Sequence, residues 1–174
     1  FAVFGTLCML LAMRIPYDIL RRLAYPFWIV SCGLLVCVLV PGVGKEIGGA
    51  VRWLPVGPFS FQPAEFVKLA VILLLAYSLS KKGRDKIKSF SIGVVPHLLL
   101  ILPLCVLILV QPDFGTAVMI ATLLLGMMFI GGVRLRYLFC LCGAALCAAV
   151  PLIVFKGYRM ERILAFLDPW EKSS

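Results

Sequence analysis

The sequence predicts an all-α fold, a polytopic bundle of transmembrane helices, and three observations predict it. Hydrophobic residues make up 63% of the 174 residues and charged residues only 14%, against roughly 45–50% and about 25% in soluble domains. Apolar runs of spanning length recur along the chain between short polar loops. Lysine and arginine cluster in every second loop, the pattern that membrane insertion imposes. A water-soluble chain of this size has no core large enough to hide so much apolar side chain, and a bilayer removes the problem.

The elements follow in order. Residues 1–13 are apolar but too short to span, and read as the end of a longer helix. Residues 23–40 are long enough to cross a hydrocarbon core of roughly 30 Å at about 1.5 Å per residue. Further spans are expected at 61–79, 91–110, 115–132 and 137–155. Pro96 and Pro103 fall inside the fourth, where each removes an amide donor and bends or breaks the helix. An ordinary packing kink and a hinge beside a lipid substrate both fit them. Nothing reads as a series of strands, a soluble domain or a low-complexity linker. Residues 1–174 therefore read as part of one transmembrane domain, and the abrupt Phe1 and Ser174 ends read as cut.

Charge sets the expected orientation. Arg14, Arg21, Arg22, Lys81, Lys82, Arg84, Lys86, Lys88, Arg134 and Arg136 fall in one set of loops. The opposite set holds Lys45 and Arg52 until the stretch after residue 155. The basic set belongs on the cytoplasmic side, so residues 41–60, the Gln111-Pro112-Asp113 turn and residues 156–174 face outward. The net charge of +9 is thus a topology signal rather than a nucleic-acid stripe, and no nucleic-acid motif accompanies it. The seven cysteines lie in apolar runs without zinc or redox spacing and read as packing residues. His97 reads as a packed histidine, and no metal cluster is present.

Three ionisable residues stand where a membrane segment normally avoids them: Glu65, Lys68 and Asp113. A charge at a helix centre costs about 2.5–3.5 kcal/mol on insertion scales. Glu65 and Lys68, three apart, share a helix face and can pair, either as a structural bridge or as a polar centre serving function. Gln62-Pro63-Ala64-Glu65 and Gln111-Pro112-Asp113 each place a proline at a helix start and an acid in its first turn, where the helix dipole favours it. Both starts fall on the outer side and could flank one outward-facing cavity. The glycine-rich loop that begins at Pro41-Gly42-Val43-Gly44-Lys45 is not a P-loop, because Glu46 follows the lysine. Arg52-Trp53 fits an interfacial anchor and a phosphate grip equally. In the tail, Arg159 and Arg162 share one side and Met160, Ile163, Leu164 and Leu167 the other, as in a helix lying in the interface. Lys81 to Lys88 reads as a topology signal in contact with lipid headgroups.

These residues carry a resemblance. Gly49-Ala50-Val51-Arg52-Trp53-Leu54 followed by Gly57-Pro58-Phe59-Ser60-Phe61-Gln62-Pro63-Ala64-Glu65-Phe66-Val67-Lys68-Leu69 resembles the stretch between the third and fourth helices of the SEDS family, FtsW, RodA and SpoVE. Gln111-Pro112-Asp113-Phe114-Gly115-Thr116 resembles that family's turn between helices five and six. Tyr158-Arg159, Arg162 and Leu167-Asp168-Pro169-Trp170-Glu171 resemble the stretch after helix seven. Pro41-Gly42-Val43-Gly44 and Asp168-Pro169-Trp170 lean towards the FtsW and SpoVE branch.

The resemblance implies a ten-helix fold, of which this chain is the end of helix two through helix seven, in the bacterial cytoplasmic membrane. It implies a peptidoglycan glycosyltransferase that polymerises lipid II on the outer face during division or wall growth. Its implied partners are a class B penicillin-binding protein and other division or elongation membrane proteins. The implied site residues are Glu65 and Lys68 as a paired polar centre, Arg52 and Trp53 in the external loop, and Gln111 and Asp113 at the turn facing the cavity. The family's proposed catalytic aspartate, in a His-Thr-Asp-Phe-like motif, has no counterpart here and is expected beyond residue 174, so these residues alone are expected to polymerise nothing. Lys68, Arg52 or a divalent cation would steady the departing diphosphate. A lipid II transporter and a membrane scaffold of the division machinery are the alternatives.

Overall fold

Helix length and apolarity decide most of the architecture. The computed structural model describes residues 2–47, 50–57, 59–83 and 85–154. The helices are α1 (Ala2–Ala12), α2 (Tyr17–Leu39), α3 (Pro63–Ser80), α4 (Phe90–Gly93), α5 (Val95–Val110), α6 (Phe114–Ile130) and α7 (Leu135–Val154). Strands β1 (Lys45–Ile47), β2 (Ala50–Val56) and β3 (Phe59–Phe61) lie between α2 and α3. Among the described residues, Tyr17–Leu39, Pro63–Ser80 and Phe90–Val110 are long and apolar enough to cross a membrane, and Phe114–Ile130 and Leu135–Pro151 are shorter apolar stretches of helix.

The chain forms two compact units, residues 1–134 and 135–174. In the first, α3 packs against α2, α5 and α6. The buried centre includes Leu35 of α2, Leu74 and Leu75 of α3, Leu104 and Ile108 of α5, and Ile120 of α6. Ala24, Ala64, Ala70 and Ala117 are buried with them, small side chains that let helices approach closely where lipid supplies no hydrophobic drive. Ile29, Leu99, Leu102 and Phe129 are exposed, as suits side chains turned to acyl chains. The second unit carries α7, with Cys140, Cys142 and Cys147 exposed along it. The tail with Arg159 and Arg162 lies outside the described residues.

The loop before α3 departs from expectation. Where the sequence reading expects no strands, β1, β2 and β3 form a three-stranded antiparallel sheet in sequence order. Glu46 pairs with Val51 and Ile47 with Ala50, then Leu54 with Phe61 and Val56 with Phe59. Glycine-rich composition conceals the β-forming Val51, Trp53, Val56, Phe59 and Phe61. Gly57, at φ +59°, supplies the left-handed backbone of the β2–β3 turn. Residues 50–53 pair only with β1 and 54–56 only with β3, a place where a strand tolerates Pro55. A Cβ on Gly44 would collide with the Val38 carbonyl, so glycine lets the loop sit directly on the end of α2.

Pro96 breaks the fourth span at Val94, separating α4 from α5. Having no N–H, Pro96 leaves the Ile92 carbonyl without its helical donor, and Lys82 Nζ donates to that oxygen instead. His97 N turns to Val94 O, and His97 Nδ1 meets the vacated Gly93 carbonyl at 2.8 Å. Pro103 stays within α5, and Trp28 Nε1 donates to Leu100 O at 2.8 Å. At the Pro96 break, Lys82 from the preceding loop and His97 of the same helix thus meet the freed carbonyls, as low-dielectric surroundings require.

Candidate functional site

The polar residues singled out in the sequence gather at one end of the bundle, where α2 ends and α3 and α6 begin. Asp113 is the N-cap of α6. Its Oδ1 accepts from Thr116 N at 3.2 Å and its Oδ2 from Thr116 Oγ1 at 2.8 Å. This satisfies an orphan amide of the first turn and places a carboxylate at the positive end of the helix. Arg52 Nη1 approaches Asp113 Oδ1 at 3.4 Å, with the carboxylate side chain 7% exposed and the arginine 23%. Gln62, the N-cap residue of α3, donates from Nε2 to Asp113 Oδ2 at 3.4 Å. One carboxylate therefore ties β2, the start of α3 and the start of α6 together. Arg52 Nε is buried and meets no acceptor among the described residues.

The two expected helix starts are not alike. Pro63 is in the first turn of α3, followed by Glu65, as the sequence suggests. Pro112, by contrast, precedes the helix, and Asp113 caps it from outside rather than lying within its first turn. The reason is the Asp113-Phe114-Gly115-Thr116 spacing, which lets the aspartate reach the amide three residues on. Gln111 is buried and donates from Nε2 to Leu35 O at 2.9 Å, fastening the α5–α6 turn to α2. Trp53 is half-buried in β2.

Glu65 and Lys68 pair at 2.7 Å, with Glu65 59% exposed and Lys68 20%. Glu65 is thus open on α3, while the Lys68 side chain is largely covered by the bundle and only its end reaches the carboxylate. Arg52 is drawn to Asp113, not to this pair. A cavity of about 380 Å³ opens nearby, lined by Val38, Gly44, Glu46, Val51 and Gln111 among others, and neither Glu65 nor Lys68 lines it. Asp113 does not line this cavity either, though both acids stand at this end of the bundle. No three His, Cys, Asp or Glu side chains converge as metal ligands among the described residues, and the Asp113 oxygens already face cationic and neutral donors. A divalent cation finds no built site in this set.

Sequence reasoning missed Gln62 and Thr116 as partners of Asp113. The aspartate-to-threonine spacing signals Thr116; nothing local signals Gln62, whose partner is 51 residues away.

Comparison with known proteins agrees with the fold and with the motifs. The profile of the FtsW/RodA/SpoVE family of cell cycle proteins matches residues 1–174. The probable peptidoglycan glycosyltransferase FtsW of Trichlorobacter lovleyi is 41% identical over 169 residues, covering 97% of this chain and 44% of that protein. Its counterpart in Allochromatium vinosum is 42% identical over 163 residues, covering 93% and 40%. The chain spans less than half the length of these curated relatives. Among solved structures, the rod shape determining protein RodA of Thermus thermophilus superposes with a TM-score of 0.69 at 36% identity, covering 86% of this chain and 46% of RodA. A chain from work on the coordination of polymerization and crosslinking by a peptidoglycan synthase complex also reaches a TM-score of 0.69, at 38% identity, covering 95% and 48%. The all-α polytopic fold and the multi-pass membrane character follow.

Proposed function

Because the chain belongs to the FtsW/RodA/SpoVE family, we propose that the whole protein is a peptidoglycan glycosyltransferase of the bacterial cytoplasmic membrane. It polymerises lipid II into glycan strands on the outer face, beside a class B penicillin-binding protein. The observation that carries this reading is the polar end of the bundle, where an exposed Glu65 holds the half-buried Lys68 on α3 next to a hairpin held by Asp113. That end lies opposite the basic loops, so the charge rule directs it outward, towards a lipid-linked sugar diphosphate in the outer leaflet.

The residues divide by what they touch. Asp113, Gln62 and Thr116 hold Arg52 and β2 in place and are positioning residues. Lys68, with its ammonium held by Glu65, is the cation on offer to the departing diphosphate, a role in which preorganised charge is most effective. Glu65 holds and aims that ammonium. It is not assigned as the base for the acceptor hydroxyl, since its partner is already Lys68. Arg52 and Trp53 bound the same end from the hairpin, and Gln111 fixes the turn behind it.

The test is the purified whole protein in vesicles with lipid II and neither ATP nor another polymerase. Glycan polymer is the expected product. Lipid II crossing the bilayer without polymer would make the protein a transporter. Undiminished polymer from a Glu65→Gln/Lys68→Gln protein that no longer recruits its partners would make the pair part of a scaffold surface.

A further inference from the structure

The opposite end of the bundle holds a second polar site that the proposed reaction does not use. A cavity of about 520 Å³ opens there, lined by Tyr25 of α2, Tyr77 and Ser78 of α3, Lys81 and Lys82 beyond it, and Ser91 of α4, with Pro96 and Leu100 of α5 as its apolar wall. Tyr25 and Tyr77 meet edge to face, with ring centroids 5.8 Å apart, and Lys81 Nζ lies 5.0 Å from the Tyr77 ring centre.

Lys82 is oriented by its surroundings. His97 Nδ1 lies 2.8 Å from the Gly93 carbonyl, so that nitrogen carries the proton and Nε2 of the neutral ring accepts. Lys82 Nζ stands 3.5 Å from His97 Nε2 and also donates to Ile92 O. The break at Pro96 thus fixes this ammonium at the cavity wall with one N–H to spare. Burial lowers the Lys82 pKa from its ordinary value, because desolvation disfavours the charged form. Among the described residues, no carboxylate forms an ion pair with Lys81 or Lys82; the Tyr77 hydroxyl beside Lys81 raises that lysine's pKa.

We propose that this cavity binds the headgroup of one anionic phospholipid from the leaflet on the basic side. Lys81 and Lys82 face its phosphodiester, and the hydroxyls of Ser78, Ser91 and Tyr25 are within the same pocket for its remaining oxygens. Three features favour a lipid over a free anion. Tyrosines line the opening, as at membrane interfaces. The cavity lies where the basic loops meet the spans, the usual position of basic lipid pockets between helices. The α5 helix that supplies Pro96 and Leu100 continues with exposed Leu99 and Leu102, an apolar surface for acyl chains.

The test is native mass spectrometry of the purified whole protein in detergent, titrated with phosphatidylglycerol, phosphatidylcholine or inorganic phosphate. One phosphatidylglycerol should be retained per chain, and Lys81→Gln/Lys82→Gln should weaken it about tenfold or more. Lys81→Gln alone leaves the Lys82 bond to Ile92 in place and should still weaken retention roughly fivefold. Lys86→Gln/Lys88→Gln, on the same loop but outside the cavity, should leave it unchanged. Equal retention of phosphatidylcholine, or parental affinity in both Lys81 variants, would overturn the proposal. Displacement of the lipid by inorganic phosphate would reassign the cavity to a free anion.

Discussion

Asp113 and Glu65 sit near helix starts at the same end of the bundle and are held in opposite ways. Asp113 is 7% exposed and takes Arg52, Gln62 and two donors of Thr116. Glu65 is 59% exposed and, among the described residues, takes Lys68 alone. A carboxylate whose oxygens are spent on three segments of chain cannot be withdrawn without loosening them. One with a single neighbour on an open face can meet a substrate. Under the proposed function the first acid is architecture and the second serves the chemistry.

The largest break in that contrast is Asp113→Ala. It removes a helix cap and leaves Arg52 partly buried without its counter-charge, a loss of about 3–5 kcal/mol by analogy with broken buried pairs. Thermal melting of the purified protein in detergent should show the strongest drop for this variant. Thr116→Val keeps the backbone amide bond to Asp113 and deletes only the hydroxyl donor, so about 1.5–3 kcal/mol is expected, read in the same assay. Glu65→Gln should move the melting temperature little, since an exposed pair contributes roughly 0.2–1 kcal/mol. A large drop there would put Glu65 in the architecture with Asp113.

The smallest effect lies at the basic end. Burial holds the Lys82 pKa below the ordinary lysine value of 10.5. Over the window just below that value the unfolded chain binds more protons than the folded one, so this residue's contribution to stability rises with pH. Lys82→Met should flatten the slope of melting temperature against pH in that window; an unchanged slope would show that Lys82 is as solvated as a surface lysine.

How much of this was legible in the sequence depends on the range of each interaction. The spans are legible because apolarity over about twenty residues is a local property, and the Glu65–Lys68 pair because helical spacing alone brings residues three apart together. The proline break was legible as a break, but not the side chains that heal it: Lys82 reaches Ile92 only because the loop folds back. The sheet was obscured by glycines that read as loop, and by short strands whose pairing partners compete with helix signals on both sides. Arg52 meeting Asp113 was beyond reach, since neither local pattern contains the other; the sequence reading offered Arg52 only a membrane interface or a phosphate. Thr116 is legible from capping chemistry only if Asp113 is the cap, and Pro112 points instead to an earlier helix start than the one observed.

The division between the two acids is tested most directly by one paired measurement on the whole protein carrying Glu65→Gln: melting temperature in detergent, and polymer formed from lipid II in vesicles. A melt close to the parent with polymer reduced on the order of 10²-fold, the size of losing one preorganised polar group, is the predicted result. Parental polymer yield from a normally melting Glu65→Gln protein would contradict it.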